Sequence, residues 1–147
     1  LILPVIYYLV MFIGFEVYYF TDYKELTDYY FCRGLTDAVE EAVSYEGPIY
    51  YSRGIEHPRI LFLAKENVWD FMDSVEYYVY PSPYLEAKSF GRFSCDFDPE
   101  VPDADATYIL GRNADWELYE QKGFVVHPSD WFAVAHHPDN EQEDQRR

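Results

Sequence analysis

Basic residues are scarce in this chain. Its 147 residues hold 11 Lys and Arg against 27 Asp and Glu, a formal net charge of −16. That balance excludes a nucleic-acid partner, because a phosphate-binding face needs clustered cations. It also excludes docking on anionic lipid through a basic patch. Cysteine is nearly absent: only Cys32 and Cys95 occur, 63 positions apart. They have no metal-ligand spacing and cannot build a disulfide framework, although one bridge outside the cell stays open. Cys32 lies in the apolar run YYFCRGL, where a buried thiol is the commoner state. No G-x-S-x-G elbow, G-x-G-x-x-G loop or P-loop is present. No H-x-x-x-H or C-x-x-C accompanies the four histidines, and no internal repeat is visible.

Charge is missing altogether from Leu1 to Phe15, and only Glu16 interrupts the apolar run before Phe20. A helix of about 20 residues, at roughly 1.5 Å each, spans the ~30 Å hydrocarbon core of a bilayer. Tyr8, Tyr18 and Tyr19 stand near its ends, where an aromatic belt sits. The reading is therefore a transmembrane helix over 1–20. A signal peptide would need a basic start and a small-residue cleavage site, yet the first cation is Lys24. A buried core helix or strand is the other alternative, since a charge-free run of about 18 residues would be more decisive. Pro4 is compatible with a helix start. The flank after the helix, TDYKELTDYY, sets Asp22, Glu25 and Asp28 against one Lys24. Cytoplasmic flanks favour Lys and Arg, so an extracytoplasmic placement at the cell membrane is expected. The chain opens on Leu1 rather than Met, and the expectation is that it continues a longer protein.

About 125 residues remain after the helix, enough for one domain with one core. Aromatics make up 20% of the chain, with 16 tyrosines, which suits a folded domain and not a disordered one. They serve either an aromatic core or an amphipathic surface near a membrane or a glycan. Apolar steps of three and four predict a helix over 24–46, weakened by Gly34 and ended by Gly47-Pro48. IYYS after Pro48 predicts a first parallel strand. Residues 58–78 predict a helix that Asn67 divides. Residues 79–88 read as a loop, SFGRFSCDF as one strand, and DPEVPDADA as an acidic loop. TYILGR predicts a strand buried on both faces. A short helix follows, capped by Asn113 and Gly123, and then two strands, Phe124 to Val126 and Trp131 to Ala135, with a turn at Pro128–Asp130.

The candidate chemistry is thin. Asp96, Asp98 and Asp103, with Glu100 and Asp105, put several carboxylates on one loop, as a hard cation requires. The loop lacks the glycine and distal glutamate of an EF-hand, and Asp96-Phe97-Asp98 is a lone D-x-D. A solvated charged loop is the plainer account. His136 and His137 read as a surface pair at a strand end. Trp69, Trp116 and Trp131 suit sugar stacking, but also an ordinary core. The residues assign no catalytic group, no cofactor and no metal.

The exit VYYFTDY at 17–23, Phe31, Gly34, Leu35 and Ala38 in the next helix, and Ile49-Tyr50 form an ordered series. Ser89 to Phe93 and Tyr108 to Leu110 continue it. In that order the chain resembles the C-terminal end of bacterial membrane glycosyltransferases of the dolichyl-phosphate mannosyltransferase-like (GT-C) type. The resemblance implies many upstream membrane spans, a polyprenyl-phosphate sugar donor, and a catalytic acid in an early loop that this sequence does not contain. No catalytic residue carries over. The fold expected is α/β: a transmembrane helix over 1–20, then a small layered α/β domain over 21–138 with a mostly parallel sheet of about four to five short strands. A polar tail follows over 139–147. The function expected is an accessory extracytoplasmic domain of an integral-membrane glycosyltransferase. Its partners would be the lipid bilayer through residues 1–20, the rest of a multi-span membrane protein, and a glycan or lipid-linked sugar. The alternatives are a non-enzymatic membrane-tethered binding module or a standalone soluble α/β domain.

Overall fold

The computed structural model describes residues 2–79 and 86–140. The chain divides into two compact units, Leu1–Arg33 and Gly34–Arg147. In the first, α1 (Ile2–Phe20) and α2 (Asp22–Tyr30) form one nearly continuous helical run. The Thr21 amide donates to the Val17 carbonyl at 3.1 Å, so helical bonding passes through the junction. Pro4 sits in the first turn, where its missing N–H costs nothing. The run from Leu3 to Asp28 is long and apolar enough, by length and composition, to cross a membrane. Its side chains are exposed: Leu3 is 82% accessible and Phe20 66%. A buried core helix would show the opposite.

The predicted helix over 24–46 is two helices, because Gly34 breaks it. α3 (Leu35–Ser44) begins after Gly34, whose φ of 86° lies in the left-handed region. A Cβ there would stand 2.1 Å from the Ser129 carbonyl oxygen, so only glycine fits. Leu35, Ala38, Val39 and Ala42 recur at helical spacing and are all buried.

The second unit is built on a seven-stranded sheet: β1 (Ile49–Tyr51), β2 (Glu76–Tyr77), β3 (Ala87–Phe90), β4 (Phe93–Ser94), β5 (Thr107–Gly111), β6 (Val125–Ser129) and β7 (Phe132–His136). Their order is β2-β3-β4-β1-β5-β7-β6. Only β1 with β4 and β1 with β5 run parallel. The other four neighbouring pairs are antiparallel. The sheet is thus mixed and larger than the four to five mostly parallel strands expected. The physical reason is in part connection length: the β3–β4 and β6–β7 neighbours need only a tight turn, whereas each parallel pair needs a crossover.

Individual turns account for the other differences. SFGRFSCDF is not one strand, because Gly91, at φ 50°, folds it into the β3–β4 hairpin. That hairpin takes in Ala87 and Lys88 from the segment read as a loop, while 80–85 lie outside the described residues. Glu76–Tyr77 pairs with β3, a strand too short to show a pattern. The β6–β7 turn is Asp130 and Trp131, with Ser129 opposite Phe132, so it starts two residues later than expected and ends one later. Pro128 is tolerated because β6 is an edge strand. Of the polar tail, 141–147 lie outside the described residues.

Other expectations match. β1 and β5 stand as read, and Thr107 to Leu110 are all buried. α4 (His57–Leu63) and α5 (Val68–Ser74) are divided at Asn67, whose Oδ1 accepts from the Trp69 amide at 2.9 Å. α6 (Trp116–Gln121) is capped by Asp115, not Asn113: its carboxylate accepts from the Leu118 amide at 3.2 Å. Helices cover both faces of the sheet. Tyr108 and Leu110 of β5 share a cluster with Tyr119 of α6, Phe124, Ala133 and Ala135. By strand alternation Ile109 and Val134, paired across β5 and β7, face the other way, toward α3.

Candidate functional site

Open α/β sheets place ligands at the carboxyl ends of their parallel strands. Here those strands are β4, β1 and β5, ending in Cys95-Asp96, Ser52-Arg53 and Gly111-Arg112. Ser52 locks two of the ends together. Its amide donates to the Ile109 carbonyl at 3.0 Å, and its Oγ accepts from the Gly111 amide at 3.0 Å. Arg53 donates to the Tyr78 hydroxyl at 3.0 Å and lies 3.9 Å from Asp96. Lys88 meets the same Asp96 carboxylate at 2.9 Å and holds its pKa below the usual carboxylate value. The Cys95 thiol, a free and buried one, donates to the Ala87 carbonyl at 3.3 Å, with the Tyr78 hydroxyl 3.6 Å away.

Tyr51 completes this cluster from beneath. It is 1% exposed, and its hydroxyl has no nitrogen or oxygen partner among the described residues. Burial pushes its phenol pKa well above the ordinary value, with the adjacent Cys95 adding to the shift. It stays a phenol at any physiological pH. The cluster sets Arg53 and Lys88 on the one carboxylate of Asp96. It lacks the geometry of a nucleophile beside a base, and no serine–histidine hydrogen bond occurs among the described residues.

The acidic loop is used up by its own fold. Asp98 accepts from the Glu100 amide at 2.9 Å, and Asp103 from the Asp105 amide at 3.0 Å, both local turns. Asp96 is held by Lys88. The loop carbonyls already have a cation: Lys122 Nζ reaches Pro99 O at 3.0 Å and also Glu100 O. Asp96, Asp98 and Asp103 are not brought together, and no group of three metal-capable side chains exists among the described residues. Lys122 had no signal in the sequence, because it comes from α6's C-terminal cap, far along the chain.

The histidines divide by burial. His136 is fully buried, not a surface residue, because β7 is buried on both faces through its last residue. Its ring stacks on Tyr45 at 4.4 Å and meets the His127 ring edge-on at 5.2 Å. His127 Nδ1 contacts Glu41 Oε1 at 2.5 Å, tying β6 to α3. His137 lies 3.2 Å from Asp139, and His57 stacks on Phe71. The tryptophans also divide. Trp116 packs against the core and donates to the Gly111 carbonyl at 3.1 Å. Trp131 lies under the Arg112 guanidinium at 3.8 Å. Trp69 is 72% exposed, beside exposed Val68 and Met72. Of the three, its ring alone is left open to a ligand face.

Comparison with protein-family models, curated proteins and solved structures finds no match to this chain.

Proposed function

We propose that this chain is a membrane-tethered α/β module acting as an accessory, non-catalytic part of a membrane assembly. One observation carries the reading: the helical run from Leu3 to Asp28 holds an 18-residue apolar window, none of which is buried. Exposed apolar surface on that scale needs lipid or protein around it. The non-catalytic part draws support from the charged side chains at the parallel strand ends, Arg53, Lys88 and Asp96, which are engaged with one another. The assembly that the sequence resemblance favours is a bacterial membrane glycosyltransferase that moves a sugar from a polyprenyl-phosphate donor. In that case the second unit is extracytoplasmic, as the acidic flank Asp22, Glu25 and Asp28 suggests.

The test is membrane extraction at alkaline pH. The full chain should stay with the membrane pellet, while a chain lacking residues 1–20 should be released and folded. A full chain that is monodisperse in plain buffer would overturn the tether. Protease protection of the second unit in sealed vesicles then reports its side, and reconstitution with polyprenyl-phosphate sugar tests the transferase assignment.

A further inference from the structure

Glu16 is the one charged residue of α1, and it stands inside the apolar run, four residues before Phe20. The next charged residue is Asp22, six positions on, about 9 Å along the helix axis. With Asp22 in water, the Glu16 side chain leans toward the helix N-terminus, so its carboxylate lies on the lipid side of Tyr18 and Tyr19. Long Lys and Arg chains snorkel from such depths, and glutamate is short. Nothing in its own unit compensates. α1 has no Lys or Arg, and the nearest cation in the sequence, Lys24, is eight residues away, about 12 Å along the axis. Glu16 takes part in no hydrogen bond or ion pair among the described residues. Around it, Phe12, Ile13, Tyr19 and Phe20 at helical spacing are all exposed. The result is an apolar face with one unpaired carboxylate at its centre.

We infer that α1 docks in the bilayer against a second transmembrane helix that brings a basic side chain to the level of Glu16. Charge complementarity names the occupant. A parallel copy of α1 would set two carboxylates at one depth, whereas a Lys or Arg meets the charge and satisfies the carboxylate oxygens. The inference rests on the membrane-tethered reading and adds to it the chemistry of the partner.

The test places the full chain in neutral phosphatidylcholine vesicles, labelled for energy transfer, with designed 24-residue polyleucine helices. One probe carries a single central Lys and the other none. Integration is scored first, by alkaline extraction of the vesicles. Association with the Lys probe should be about tenfold tighter than with the plain probe, and Glu16→Leu should bring the ratio close to one. Equal association of both probes with the wild-type chain overturns the inference, as does a ratio that survives Glu16→Leu. Self-association stronger than Lys-probe binding, and lost in Glu16→Leu, overturns it in favour of a second copy. Failure to integrate sinks the tether itself, and the extraction step reads that separately.

Discussion

Replacing Gly34 by alanine puts two costs on one residue. The backbone there has φ 86°, a conformation that costs a residue with a Cβ about 1–2 kcal/mol. The new Cβ would also lie 2.1 Å from Ser129 O and 2.8 Å from Ser129 C. Both are backbone atoms of β6, so no rotamer change relieves the overlap. Forced overpacking of this kind adds about 1–3 kcal/mol. Retreat of either chain would also stretch the bonds that end on the Gly34 carbonyl, from Ser129 Oγ at 3.2 Å and from the Ala38 amide at 3.1 Å. The sum is a loss of about 2–5 kcal/mol. Gly123 supplies the control. Its φ is 89°, but nothing lies within 4 Å of an added Cβ. Gly123→Ala should therefore cost only the conformational part, about 1–2 kcal/mol. The assay is urea unfolding of the full chain in mild detergent, followed by tryptophan fluorescence. Trp69, Trp116 and Trp131 all lie in the second unit, so the signal reports that unit. Equal losses for the two variants would refute the close approach of Gly34 to β6.

Three further substitutions probe the joints of the same unit. Arg92 donates to Tyr45 O at 2.7 Å and Val43 O at 2.8 Å, closing the end of α3. Arg92→Met should cost about 2 kcal/mol in urea unfolding, and Arg92→Lys should recover less than half, because lysine lacks the fork. Asp115→Ala should cost about 1 kcal/mol through loss of the α6 cap, while Asn113→Ala should stay within about 0.5 kcal/mol; the reverse order would restore the cap to Asn113. Burial lowers the His57 pKa below its ordinary value, with Glu56 and Glu86 opposing. Folding thus favours the neutral ring, so its contribution is complete above the ordinary histidine range and declines as pH falls below it. His57→Phe removes that dependence. Urea midpoints from pH 8 to pH 5 should show the wild type losing stability relative to the variant, and a constant difference would refute the assignment.

Much of the local structure was legible because its signals are local. The division of α4 from α5 at Asn67 follows from a side chain that caps the residue two positions on. The burial of β5 follows from an uninterrupted apolar run that both faces can absorb. Gly34 was visible as a weak point in a helical pattern, but its meaning was not. The oxygen it makes room for belongs to Ser129, 95 positions later. The acidic loop shows the same limit more sharply. Its carboxylates suggested a cation, yet the cation at its carbonyls is Lys122, and Asp96 is held by Lys88 from a neighbouring strand. Histidine placement depended on where a buried strand ends. One residue separates buried His136 from half-buried His137, because β7, buried on both faces, ends at His136.

The amino-acid order by itself determined the apolar opening helix, the acidic character of the rest of the chain, and the strands and helices whose caps and periods are written in adjacent residues. These depend on interactions within one or two turns, which any sequence states directly. Tertiary structure alone decided that the sheet has seven strands and mixed direction, that His136 is core, and that Lys88 and Lys122 reach the acidic loop. Most of those outcomes join residues from separate strands and helices, and their meeting depends on how strands register and helices pack, which no short stretch of chain records.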